Sequence, residues 1–123
     1  SYDGRDDSYN TWKGTGDGTD YFNYEWWDKL FDDAEFRQRY AQRWYAMRAG
    51  ALSTSNINAV IDAMAAQLGE AQVRNFARWP EVAPASSWAN EIQHLKDWLA
   101  QRAAWIDTQM AIEFAPPSPA AEQ

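Results

Sequence analysis

The tryptophan side chains are the residues of this sequence with the clearest capacity to bind a ligand. Five of the eight tryptophans fall in or beside predicted loops. Indole rings can stack on the apolar faces of sugar rings, while neighbouring charged groups hydrogen-bond the hydroxyls. We therefore predict a polysaccharide-binding surface formed by Trp12, Tyr21, Trp26, Trp27, Trp79 and Trp88, with Asp17, Asp20 and Arg78 as polar partners.

The same rings have two alternative interpretations. They can form small apolar clusters that attach the loops to the helices, in which case a ligand could not reach them. They can also belong to a protein–protein interface, where tryptophan is enriched. The residue types and spacing leave all three interpretations open.

Side chains suited to catalysis are scarce. The sequence has no cysteine and no Gly-x-Ser-x-Gly motif, and its one histidine, His94, lies inside a predicted helix. The glycines of residues 14–18 are flanked by acids and lack the lysine of a phosphate-binding loop. We predict no catalytic residue and no cofactor. One alternative is a Ca²⁺ ion bound by oxygen ligands, although their spacing matches no EF-hand: Asp3, Asp6, Asp7, Asp17 and Asp20.

The net charge of −7 is concentrated at one end of the chain. Residues 1–35 carry ten acids and three bases, whereas residues 36–123 carry eight of each. Nucleic acids and anionic membranes attract clustered lysine and arginine, so we predict neither as a partner. No apolar run approaches the length of about 20 residues that a membrane span needs.

Hydrophobic periodicity places these residues on helices and loops. Phe36, Tyr40 and Trp44 recur at helical spacing, which predicts one helix face with Trp44 against the core, and Ser53 and Ser87 are suited to cap the helices that follow them. The sequence predicts an all-α fold: a three-helix bundle with an irregular, acidic, aromatic leader and a disordered proline-rich tail. The predicted boundaries are a helical domain over 1–114 (leader 1–22, first helical segment 23–50, second helix 53–79, third helix 87–113) and a linker-like tail over 115–123.

Several runs in this order are similar to the C-terminal part of the CotH kinase-like family. They include residues 17–22, residues 26–33 and the run Asn75–Pro80, and the resemblance covers residues 2–110. It implies a fold like that of an atypical protein kinase, with ATP-dependent phosphorylation of serine in spore-coat members. It also implies that the nucleotide-binding lysine and the metal-binding acids lie upstream of this sequence.

The resemblance and the residues together give three functional hypotheses. The first is a non-catalytic, polysaccharide-binding module of a secreted bacterial multimodular protein, because family members often occur beside cellulase or carbohydrate-binding modules. The second is the C-terminal lobe of a CotH-type kinase, with other domains of the parent chain as partners. The third is a protein-interaction bundle. We expect an extracellular location, and the start at Ser1 without Met predicts an excised or mature segment.

Overall fold

The computed structural model describes residues 8–12, 27–82 and 87–114. The helices are α1 (Trp27–Asp32), α2 (Ala34–Arg48), α3 (Thr54–Gln67), α4 (Gly69–Arg78) and α5 (Trp88–Glu113), and a 3₁₀ turn spans Pro80–Val82. No strand occurs in these three ranges, so the predicted all-α class is confirmed. The leader before Ser8 and the tail after Phe114 lie outside the described residues, as do residues 13–26.

Short polar side chains define where the helices begin. The side chain of Asp33 accepts hydrogen bonds from the backbone N–H groups of Glu35 and Phe36, at 2.7 and 3.0 Å, and so separates α1 from α2. Ser53 accepts from Asn56 N–H at 3.3 Å, and Ser87 accepts from Asn90 N–H at 3.2 Å. Both serines therefore cap helices as predicted, because they satisfy donors that the first helical turn leaves free.

The predicted second helix over residues 53–79 is divided in the structure. Its first part ends at Leu68, whose N–H is shared between the carbonyls of Ala65 and Met64, at 3.1 and 3.3 Å. The second part begins at Gly69, a residue with weak helix propensity. With the break at Asp33 between α1 and α2, the described residues form five helices where three helical segments were expected.

The main buried cluster of the described residues lies at one end of the packed helices. It consists of Ala41, Met110 and Phe114, against which Trp12, Phe31, Trp44 and Ile106 pack. Aromatic rings of α1 and α2 close this end, with the Phe31 and Phe114 ring centroids each within 6.0 Å of the Tyr40 ring. Burial there raises the pKa of the Tyr40 phenol.

The other end is open. Helix α3 packs against α5, but neither α3 nor α4 contains a buried residue. None of the described helices is both long enough and apolar enough to cross a membrane.

Candidate functional site

An apolar groove runs between α3 and the N-terminal half of α5, with a volume of about 860 Å³. The two helices are joined by an ion pair between Lys96 and Asp62, whose charged atoms lie 2.5 Å apart. The side chains on the groove are mainly aliphatic or aromatic: Ile61, Met64, Ala65, Leu68, Trp88, Glu91, Ile92, His94, Leu95, Trp98 and Leu99. Such a lining favours packing against another apolar surface over acid–base chemistry.

Several aliphatic side chains around this groove are exposed. Met64 is 60% exposed, Val60 50%, Leu68 49% and Leu95 43%. An exposed helix face normally carries charged residues. Helix α3 instead has one charged residue, Asp62, and Lys96 already pairs with it. The α3 side of the groove is therefore mainly apolar, and Glu91 of α5 is the acid among the residues that line it.

Three of the predicted binding residues lie at the end of α4 and the start of α5: Arg78, Trp79 and Trp88. Trp79 is 50% exposed, and the Arg78 guanidinium lies 5.3 Å from the centroid of its ring. Trp88 is half-buried and lines the groove, and its ring centroid lies 6.2 Å from that of Phe76 on α4. Of these two tryptophans, Trp79 is therefore the more accessible to a ligand.

Trp12 lies away from the groove and packs against the C-terminal half of α5. Its ring centroid is 4.8 Å from that of Trp105, and its indole N–H donates to the Glu113 carboxylate at 3.0 Å. Trp105 and Trp88 are about 25 Å apart along α5, at a rise of 1.5 Å per residue. The structure thus separates Trp12 from Trp79 and Trp88, and its contacts agree with a role in attaching residues 8–12 to α5.

Arg102 is the centre of that attachment. Its guanidinium donates to the backbone carbonyls of Tyr9 and Thr11, at 2.7 and 2.6 Å, and lies over the rings of Trp12 and Trp105. Desolvation there lowers the pKa of Arg102. The sequence offered no local signal for these contacts, because they join residues more than 90 positions apart.

The side chains of the other predicted site residues lie outside the part of the chain that the structure describes. Trp27 begins α1, but its side chain lies outside the description. Tyr21, Trp26, Asp17 and Asp20 are outside it altogether, as are the leader acids Asp3, Asp6 and Asp7 proposed to bind Ca²⁺. Within the described ranges no three histidine, aspartate or glutamate side chains cluster as metal ligands.

A polar centre that the sequence did not reveal joins α2 to α5. The Asp107 carboxylate accepts from the Trp44 indole N–H at 2.7 Å and from Arg48 Nε at 3.1 Å. Arg48 also donates to the Leu52 carbonyl, so it holds the turn before α3 in place. Trp44 was predicted to face the core, and it does pack against it.

These features define an all-α packing module that is closed by aromatic residues at one end and has an open apolar groove at the other. The model of the family described as CotH kinase protein matches residues 2–106. The chain belongs to this CotH kinase family, and the resemblance expected from the sequence is thereby confirmed. No curated protein and no solved structure matches the chain.

Proposed function

We propose that this chain is a non-catalytic helical lobe of a CotH-type kinase. In this proposal the groove between α3 and α5 packs against the nucleotide-binding part of the same kinase fold. The observation that carries it is the exposed, mainly apolar groove itself, in a chain whose family is a kinase family. Catalysis is assigned to the nucleotide-binding part of the kinase, as the family resemblance implies.

The contrast between the two ends of the molecule supports this choice. The closed end buries Met110 and Phe114, whereas the groove end leaves Met64 and Val60 at least half exposed. Contiguous exposed apolar surface in a groove is often a binding site for another apolar surface. The rings and aliphatic side chains of the groove would lose contact with water if another part of the kinase covered it.

A binding experiment in trans tests the proposal. The chain is immobilised, and the separately produced nucleotide-binding part of a CotH kinase is passed over it. We expect specific capture, and Met64→Glu should weaken it at least tenfold because a carboxylate would be buried without a partner, at a cost of about 2 kcal/mol or more. Gln101→Glu is the matched control, since Gln101 is an exposed residue of α5 that does not line the groove.

Two results would contradict the proposal. One is an intact wild-type chain that captures nothing, and the other is equal capture by the Met64→Glu variant. Detectable ATP binding by the chain alone would contradict the assignment of catalysis to the other part.

Polysaccharide binding is a second candidate, and the exposure of Trp79 is the observation that favours it. This candidate goes with an extracellular location in a secreted multimodular protein. In affinity gels containing cellulose, xylan or mannan derivatives, the wild type should be retarded, and Trp79→Ala should migrate freely. Val73→Ala removes an exposed apolar side chain from α4, the helix that ends one residue before Trp79, and should leave the retardation unchanged. Unchanged wild-type migration across the panel would eliminate this function.

A further inference from the structure

We infer that Arg102, Trp105 and Glu113 of α5 form a docking site for a short tryptophan-containing peptide segment, which residues 8–12 occupy as an intramolecular ligand. The segment detaches and rebinds while the helices stay folded. The site lies beyond the half of α5 that borders the groove, so the inference does not depend on the proposed function.

The three side chains of the site share one face of α5. They are spaced three and eight residues apart, which places them on the same side of a helix over a length of about 16 Å. Along this face the helix presents a guanidinium group, an aromatic ring and a carboxylate. Arg102 contacts the earlier residues of the docked segment and Glu113 contacts its last, so the site fixes the direction of the segment.

The guanidinium recognises the backbone of the segment. One nitrogen of Arg102, Nη1, donates to the carbonyls of Tyr9 and Thr11, at 2.7 and 2.6 Å. The segment turns at this point, and the Ser8 hydroxyl donates to the Asn10 side-chain oxygen at 2.5 Å across the turn. Residues 9–11 are exposed, so this part of the site should accept other side chains at those positions.

Trp12 is the side chain that the site selects. Its indole N–H lies 3.0 and 3.1 Å from the two oxygens of the Glu113 carboxylate, and its ring meets that of Trp105 at an interplanar angle of 66°. The Arg102 guanidinium lies 5.7 Å from the Trp12 ring centroid and 4.7 Å from that of Trp105. Phenylalanine lacks the N–H donor, and smaller residues also lack the ring, so a tryptophan is required.

The contacts allow the segment to leave without disturbing α5. Side chains make them, so release breaks none of the backbone hydrogen bonds that hold the helix. Ordering the five residues costs conformational entropy, which opposes docking. Residues 13–26 connect the segment to α1, and a tether of this length gives an effective concentration on the order of millimolar. Since the segment is docked, we expect the free peptide to bind with a dissociation constant of about 0.1–1 mM.

A peptide-binding experiment with the full chain tests the inference. A fluorescent peptide of residues 6–14 is titrated with the Trp12→Ala chain, whose own segment no longer competes, and anisotropy is recorded. We expect binding in the stated range, and at least tenfold weaker binding to the wild type, in which the site is occupied. Adding Arg102→Gln to the Trp12→Ala chain should weaken binding at least tenfold. Adding Arg43→Gln is the matched control, because Arg43 is an exposed arginine of α2.

Changes in the peptide test its recognition independently. A peptide carrying Trp12→Ala should not bind, whereas one carrying Thr11→Ala should bind as the original does, since Arg102 contacts the Thr11 carbonyl and not its side chain. Far-ultraviolet circular dichroism and the urea midpoint verify that each chain is folded. If the Trp12→Ala chain does not fold, Trp12→Leu takes its place, because leucine keeps an apolar contact with the core but has no indole N–H.

Three results would overturn the inference. They are a folded Trp12→Ala chain that does not bind the peptide at about 2 mM, equal binding by the wild type, and equal binding after Arg102→Gln. Met64→Glu, the variant that tests the groove, should leave peptide binding unchanged. Loss of capture of the nucleotide-binding part and loss of peptide binding are therefore separate outcomes, so either proposal can fail without the other.

Discussion

Phe114→Ala is expected to lower the free energy of unfolding by about 3–5 kcal/mol, the range for removal of a buried aromatic ring. Phe114 is 6% exposed and belongs to the buried cluster with Ala41 and Met110. Its ring also contacts Phe31 of α1 and Tyr40 of α2, with ring centroids 6.0 and 5.6 Å away. The substitution would leave a cavity where three helices meet, and the short helix α1 would lose part of its attachment.

Urea unfolding followed by tryptophan fluorescence and circular dichroism measures this effect. Ile112→Ala is the matched control, two residues earlier in the last turn of α5. The Ile112 side chain is 69% exposed, so this substitution should change the free energy of unfolding by no more than about 0.5 kcal/mol. Equal effects of the two substitutions would show that the core does not lie at this end of α5. If Phe114→Ala does not fold, Phe114→Leu should still unfold cooperatively with a smaller loss.

Asp107→Ala should have the second largest effect, a loss of about 2–3 kcal/mol. The substitution leaves the Trp44 indole N–H without its acceptor and Arg48, whose side chain is 17% exposed, without its carboxylate. The loss of stability should be smaller than that for a fully buried ion pair, because the Asp107 side chain is 35% exposed and solvent screens the pair.

Asp97→Ala is the control for this prediction. Asp97 lies on the same helix, but it is exposed and its carboxylate accepts a hydrogen bond from Gln93 on the neighbouring turn of α5. We expect a change within about 0.5 kcal/mol for that variant. Asp107→Asn keeps an acceptor for Trp44 and removes the charge, so its loss of stability should lie between those of Asp107→Ala and Asp97→Ala. An Asp107→Ala variant as stable as Asp97→Ala would contradict a role of this centre in joining α2 to α5.

The features that the sequence predicted correctly depend on near neighbours in the chain. Ser53 and Ser87 cap helices because their side chains reach backbone groups three residues ahead. Helical periodicity likewise placed Trp44 toward the core. The sequence did not predict that the helix over 53–79 divides at Leu68. The low helix propensity of Gly69 is a small effect that tertiary context can outweigh, so it does not predict a helix end.

The candidate site was harder to predict, because its parts are distant in sequence. Trp12 looked like a member of one aromatic platform with Trp79 and Trp88, yet its ring contacts Trp105 and Arg102, on the other half of α5. A residue type and its loop position do not specify which distant surface a ring will meet. The groove was missed for the same reason: it exists only once α3 packs against α5.

The sequence by itself determined the helical class, most helix starts and the CotH kinase family, because local hydrogen bonding, periodicity and the order of large residues are written along the chain. It also determined that the excess negative charge lies in residues 1–35. Only the tertiary structure decided which tryptophans are accessible and where the apolar surface lies. Burial and exposure depend on the packing of helices far apart in sequence, so Trp12 is held by Arg102 while Val60 and Met64 of α3 remain exposed to solvent.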